Sequence, residues 1–261
     1  MDAGDRIKRR DSAISRFETG RALVDGLQLE ILCQFYGVDN ETESYMMKLW
    51  ELSQSTPWWS HLGRRSEAQE ALLMLEDAAH QLIQYDLSAI PGLLQTASYA
   101  QTIIRAVDMD ISSEQVEKGV ELRMQRQANV WNRSQPPEAT FLIDENALAR
   151  IAGSSDVRRA QLVRLINPPD SVTIRILPFG AGPHPSLASY SIFGLSFDNN
   201  EGAMRAVHVE GSAAQQGVIA EDDDEVRRYD LVFERTLKLA LSAKESAHKL
   251  EEMIRGIEDD D

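Results

Sequence analysis

Three places in the 261-residue chain hold side chains whose type and spacing could do chemistry. Asp144 and Glu145 stand side by side where "ATFLID" ends, and that run reads as a strand. The end of a strand is a usual seat for a catalytic carboxylate. The same two acids suit the first turn of a following helix, where orphan N–H groups favour carboxylates, and capping is the favoured reading. His184 lies in "FGAGPHPSL", a loop between strands. That loop could close over a ligand, but it opens no helix and so builds no phosphate cradle; a structured wide turn is the preferred reading. His208 and Glu210 are two apart on a strand and share a face. A metal site needs further ligands, and none stands at a diagnostic spacing, His61, His80 and His248 being scattered. The sequence therefore predicts no catalytic residue, no metal and no cofactor, with a hydrolase using Glu145 and His184 as a weak third alternative.

A different chemistry is concentrated at the front. Residues 1–21 carry six basic and four acidic side chains, whereas the whole chain has a formal charge of −15. An acidic body repels phosphate, so any nucleic-acid contact falls to this short basic head. On composition alone a plain basic tail explains it as well. The stretch "DSAISRFETGR" adds a pattern. Ile14 and Phe17, three apart, would dock one side of a helix, leaving Ser12, Ser15 and Arg16 outward, with Gly20 as the positive-φ residue that ends it. Lys8, Arg9, Arg10 and Arg21 would then face a phosphate backbone.

The elements that must position these residues follow from periodicity. Leu27, Ile31, Leu32 and Phe35 predict a helix stopped by Gly37, and a second helix follows with Asn40 or Thr42 as its cap. Ser66 with Gln69 makes a capping-box spacing, opening a long helix whose apolar face is Ala68, Leu72, Leu75, Ala79 and Leu82. Pro91-Gly92 enforces a turn, Thr96 caps a helix to about Ala106, and a helix from about Ser113 carries Val116, Val120, Met124, Gln127 and Trp131 on one side. "SQPPE" then ends the helical half. Beyond it, "ATFLID", "SVTIRILPF", "SYSIFGLSF" and "AMRAVHVEG" read as strands, "QQGVIAE" as a short edge strand and "DNNEG" as a turn. Short helices span 145–151 and 155–166, the latter capped by Ser155 or Asp156. "EDDDE" begins a helix with Val232, Phe233, Thr236, Leu237 and Ala240 on its apolar face, and a last helix runs from about Ser242 to Ile257. The expectation is an α+β chain: a head at 1–56, a helical linker at 57–135 and a mixed or antiparallel sheet domain closed by helices at 136–261, with 57–261 as one folding unit.

Apolar and aromatic residues at junctions are candidates for holding a partner or ligand. They are Trp58 and Trp59, Leu93 and Leu94 in "IPGLLQT", and Tyr99, alongside His184 and Glu145. Large aromatics serve cores and interface hot spots alike, and an ordinary packed turn is the plainer reading of "IPGLLQT". A single cysteine, Cys33, excludes a disulfide framework and fits a reducing cytoplasm. No apolar run approaches the roughly 20 residues needed to cross a bilayer, so no membrane partner is expected.

Several of these stretches stand in an order met elsewhere. "SAISRFETGR", the Trp58-Trp59 pair, "LEDAAHQLIQYD", "IPGLLQTASYAQ", "FLIDENALAR", "VTIRILPFGAGPHPSL", "VHVEG" and "YDLVFERTLKLALSAKES" together resemble the actinobacterial helix-turn-helix regulators of the xenobiotic-response-element (XRE) type. Those regulators carry a long C-terminal domain of unknown function and are called antitoxin-like. The resemblance implies a non-catalytic, cytoplasmic transcription regulator that binds duplex DNA and acts with a small partner protein. A small-molecule effector and a homodimer matched to paired half-sites stay open. Two departures stand out. Only ten residues precede Asp11, whereas two helices and a turn need roughly 25–30, and Ile7 stands alone among charges there. Asp11 itself is an acid where the family has an uncharged polar residue. The head is therefore expected to be truncated: either the coding sequence starts further upstream, or this copy has lost DNA binding and is a protein- or ligand-interaction module.

Overall fold

The helix that Ser66 opens is shorter than its apolar spacing suggests. Ser66 accepts from the Gln69 amide at 3.2 Å and Gln69 returns the bond to the Ser66 amide at 3.2 Å, closing the capping box. The chain then leaves helical geometry at Ala79, whose φ of −70° and ψ of 135° are extended. Ala79–Asp86 is a strand, not the last turns of the helix. Gln84, Tyr85 and Asp86 are consecutive and all buried, as in a strand covered on both faces. The helix-like spacing of Leu75, Ala79 and Leu82 is a coincidence of composition, overridden by pairing with two neighbouring strands. Arg133 stabilises the loopless junction by donating to the carbonyls of Asp77 at 2.7 Å and Ala79 at 2.6 Å.

The computed structural model describes residues 3–19, 21–54, 56–62, 66–107, 110–197, 200–211, 218–220 and 223–260. Gly20 and parts of "DNNEG", "QQGVIAE" and "EDDDE" lie outside them. The fold is α+β, and the chain divides into two compact units, Met1–His61 with Phe197–Glu201, and Leu62–Ser196 with Gly202–Asp261.

The first unit holds α1 (Ala3–Arg6), α2 (Asp11–Glu18), α3 (Gly26–Tyr36) and α4 (Asn40–Gln54). Ala3, Ile7, Ile14 and Leu32 form its buried cluster, with Phe17, Val24, Ile31 and Phe35 packed against it. Asp25 caps α3 through the Gln28 amide at 2.9 Å, and Gly37 ends it in the left-handed region at φ 68°. Asp39, rather than Asn40 or Thr42, caps α4, accepting from the Thr42 amide at 2.9 Å. Gly26 is required by proximity, because a Cβ there would sit 3.0 Å from the Trp50 ring. The Trp50 indole N–H donates to the Val24 carbonyl at 2.9 Å, fixing that approach.

The second unit is built on a six-stranded sheet ordered β3-β2-β1-β4-β5-β6. The strands are β1 (Ala79–Asp86), β2 (Glu138–Asp144), β3 (Val172–Leu177), β4 (Tyr190–Phe197), β5 (Asn200–Val209) and β6 (Val218–Ala220). β1, β2 and β3 run parallel, β4 is antiparallel to β1, and β6 is antiparallel to β5. Parallel neighbours need long crossovers. Here α6 (Ala97–Val107) and α7 (Ser113–Trp131) join β1 to β2, and α8 (Glu145–Ala149) and α9 (Ser155–Ile166) join β2 to β3. Ser154, rather than Ser155 or Asp156, caps α9 through the Val157 amide. α5 (Glu67–Ala78) precedes the sheet, and α10 (Asp223–Leu237) and α11 (Ala243–Asp260) follow it.

The two faces of the sheet differ. On one, Tyr85, Leu142, Leu177, Tyr190, Ile192 and Val207 pack against Val226 and Phe233 of α10. The other carries Gln84 and Asp86, and Trp131 of α7 meets Phe141 edge-on with ring centroids 6.3 Å apart. The turn "IPGLLQT" is buried, and its polar backbone is satisfied from neighbouring helices, as burial requires. Gln161 accepts from the Thr96 amide at 2.8 Å and donates to the Leu94 carbonyl at 2.9 Å. Gln127 donates to the Gly92 and Gln95 carbonyls, each at 2.8 Å, and Trp131 to the Leu93 carbonyl at 3.0 Å. At the outer edge, the link between α10 and α11 closes over β3. The Leu241 amide donates to the Ile176 carbonyl at 2.9 Å, the Ile176 amide donates to Ser246 Oγ at 3.0 Å, and Arg175 donates to the Ala240 and Leu241 carbonyls.

Candidate functional site

In the head, α1 and α2 are joined by a four-residue turn, Ile7–Arg10, that passes through Lys8 at φ 55°, a left-handed conformation uncommon outside glycine. The turn folds Ile7 back beside Ile14, both buried, so Ile7 is not the isolated residue its charged neighbours suggest. α2 is thereby braced from two sides, by α1 and by Leu32 of α3. The Tyr36 hydroxyl adds a bond to Glu18 at 2.7 Å. Ser12, Ser15 and Arg16 are exposed on α2, and Lys8, Arg9, Arg10 and Arg21 are exposed around it. Arg10 is the N-cap and offers no capping oxygen, and Asp11 is exposed in the first turn.

In the second unit, the expected partner residues separate. Leu93 and Leu94 are 0% exposed and Tyr99 is 1%, which places them in the core and off any surface offered to a partner. In the first unit, Trp59 is buried and stacks edge-on with Trp58 at 5.2 Å.

His184 and Glu145 lie at the carboxyl ends of the parallel strands. Asp144 closes β2 and caps α8 by accepting from the Asn146 amide at 2.8 Å. Its other oxygen accepts from the Tyr85 hydroxyl at 3.1 Å and stands 3.7 Å from His184 Nε2. Burial first, and then Asp144, push the Tyr85 hydroxyl far above its ordinary range, so it stays a donor. Burial also carries Tyr190 up to about 12. Tyr190 reaches Ser186 at 3.2 Å, and Ser186 reaches Thr236 at 2.8 Å, so that serine hydroxyl is tied between two others. Glu145 accepts from the Phe179 amide at 2.7 Å and pairs with Lys249 at 2.6 Å. Tyr85, Asp144 and Asn146 are thus tied together, and Glu145 is tied to Phe179 and Lys249.

The opposite face carries a charged group. Arg126 of α7 grips Glu76 of α5 in two parallel bonds of 2.5 Å, and Glu76 is only 3% exposed. Burial raises the Glu76 carboxyl against the downward pull of Arg126, but the fork geometry is that of an ionised pair. Around them stand Asp86, Arg123, His208 and Glu210. His208 is held down at about 4, by burial first and then by Arg126, and is neutral at pH 7. Among the described residues, no group of three His, Cys, Asp or Glu side chains has the placement to hold a metal ion.

The family model described as "Domain of unknown function (DUF5753)" matches residues 69–252. The chain belongs to this family. The DUF5753 region runs from α5 into α11 and contains both polar clusters, while the braced α2 lies outside it. No curated protein matches the chain. Reading by residue type missed the most charged part of the DUF5753 domain. Glu76 and Arg126 are 50 positions apart, and the strand that carries Asp86 has helix-like apolar spacing at its start. His208 is buried on β5, whereas Glu210 lies just past the end of that strand and is exposed.

Proposed function

We propose that this chain is a DNA-binding transcription regulator of the antitoxin-like XRE type, non-catalytic, with its DUF5753 domain as a sensor or interaction module for a small partner protein. One observation carries the reading. α2 is docked by Ile14 and Phe17 onto Ala3, Ile7 and Leu32, so Ser12, Ser15 and Arg16 project together from a braced helix ringed by basic residues. A groove-reading helix works only when a neighbouring element sets its crossing angle. The uncapped first turn of α2, next to Lys8, Arg9 and Arg10, suits a phosphate contact. No reaction is assigned to Glu145, whose oxygens are taken by Lys249 and the Phe179 amide.

The test is duplex binding by fluorescence anisotropy, using fragments from the promoter of the chain's own gene. Arg16→Ala should weaken binding by about 5- to 150-fold, the range for losing one base-reading pair. Affinity unchanged by that substitution would refute the assignment of α2. A second reading is favoured by one specific feature: Asp11 is exposed in the first turn of α2, and the chain is strongly acidic. On that reading the protein binds no DNA and is an interaction module, and no fragment would be captured at any salt concentration.

A further inference from the structure

The two sides of α10 are built differently. Inward, Val226 and Phe233 join the core on the sheet, the Tyr229 ring lies 5.0 Å from that of Tyr190, and Thr236 reaches Ser186 at 2.8 Å. The inward acid, Asp230, is paired with Arg205 of β5 at 2.5 Å. Outward, Arg228, Leu231, Arg235 and Lys238 follow at spacings of three, four and three, so they stand in one row along the helix. Helical bonding carries on through Lys238, whose amide donates to the Glu234 carbonyl at 3.3 Å. At about 1.5 Å per residue the row is about 15 Å long.

Every member of the row is exposed, Leu231 to 46%, and Leu239 at its end is 42% exposed. Among the described residues, Arg228, Arg235 and Lys238 make no ion pair and no side-chain hydrogen bond. The nearby acids are Asp224, one turn before Arg228, and Glu234 on the flank. A helix face that is merely solvated pairs its signs along the helix, as Glu114 and Lys118 do on α7 at 2.6 Å. This row instead sets three free cations around an exposed leucine, on a chain whose formal charge is −15.

We propose that the outward row of α10 is a docking surface for an acidic helix of a partner protein. Leu231 would meet the partner's apolar side chains, and Arg228, Arg235 and Lys238 its carboxylates. Charge complementarity selects this occupant. A second copy of the chain is disfavoured, because a two-fold contact through the row sets its cations against the same cations. A phosphate backbone has no use for the leucines and is repelled by Asp224 and Glu234. One helix face offers less than the roughly 800 Å² per partner of a stable complex, so the expected affinity is micromolar and sensitive to salt. The inference rests on the reading of the DUF5753 domain as an interaction module and gives that module a site and a partner chemistry.

The experiment titrates the full chain into a fluorescently labelled helical peptide of roughly 20 residues, with one leucine per turn flanked by glutamates, and follows anisotropy. The controls are a scrambled peptide of the same composition, the peptide with lysine for every glutamate, and a duplex of random sequence. The expected result is saturable micromolar binding of the acidic helix alone, weakened at least about tenfold by Arg228→Glu combined with Arg235→Glu and at least about threefold by Leu231→Ala. Circular dichroism confirms that each variant is folded, and Leu231→Ala carries the test if the double variant is not. No saturation up to about 500 μM, well above the affinity expected of such a contact, overturns the surface. So does equal binding of the scrambled peptide, wild-type affinity in a folded variant, or duplex capture or self-association that the double variant abolishes. The peptide is read with no promoter fragment present and Arg16 intact, so loss of this surface leaves the assignment of α2 standing, and loss of that assignment leaves the peptide result standing.

Discussion

Replacing Arg126 by methionine keeps most of the side chain's length and removes the guanidinium that forks onto Glu76. Glu76 is 3% exposed, and each of its oxygens accepts one 2.5 Å bond from Arg126. Removing one member of such a pair leaves an uncompensated charge, at a cost of about 3–5 kcal/mol. For a unit of this size each kcal/mol moves the unfolding midpoint by about 2–4 °C, so the expected drop is roughly 6–20 °C at pH 7.5. The pH dependence fixes the cause. Burial already holds the Glu76 carboxyl above its ordinary range, and Arg126 opposes that rise. Without Arg126 the folded-state pKa climbs further above the unfolded value, so the folded chain binds the extra proton between the two. The penalty is therefore full above the folded pKa and shrinks as pH falls toward the unfolded one. Asp86 and Glu210, also pulled down by Arg126, shift the same way. Urea denaturation followed by circular dichroism at pH 8, 6.5 and 5 measures the gap from wild type, and Glu76→Leu with Arg126→Met should recover most of it. A gap below about 1 kcal/mol at pH 7.5, or one that widens on acidification, refutes this account of the pair.

Three further outcomes follow from packing and hydrogen bonding. Ile14→Ala should loosen α2 from its core at a cost of about 2–4 kcal/mol, read as faster amide exchange over 11–18; unchanged exchange would mean that the brace is not Ile14. Gly26→Ala places a methyl 3.0 Å from the Trp50 ring and should cost about 1–3 kcal/mol in urea melts, with a shift in tryptophan emission. Gln161→Leu leaves the Thr96 amide and the Leu94 carbonyl without their side-chain partner, and should lower stability by about 1–3 kcal/mol for each group stranded; a neutral effect in denaturant would show that the turn relaxes to find other partners.

Local signals in the sequence located most elements. Capping spacings at Ser66 and Thr96 mark true helix starts, and the β-branched runs mark β2 to β5, because both effects act within a few residues. β1 escaped for the same reason. Its identity depends on β2 and β4, more than 50 positions downstream, and its buried Gln84 and Asp86 read as polar residues of no particular face. Ile7 shows a related gap. A lone apolar residue among charges carries no periodicity, and only the left-handed turn at Lys8 brings it against Ile14. The junction "IPGLLQT" was legible as a packed turn, but not the three side chains that hold it, since Gln127, Trp131 and Gln161 come from helices far along the chain.

An outer strand of a sheet ordinarily exposes a row of amides and carbonyls to which any extended peptide can add. In this molecule the carboxyl half of β3 has already spent that capacity on the chain's own α10–α11 link and on Ser246. A foreign segment therefore meets a sealed flank there. Templated stacking of copies through β3 would first require the two closing helices to peel away.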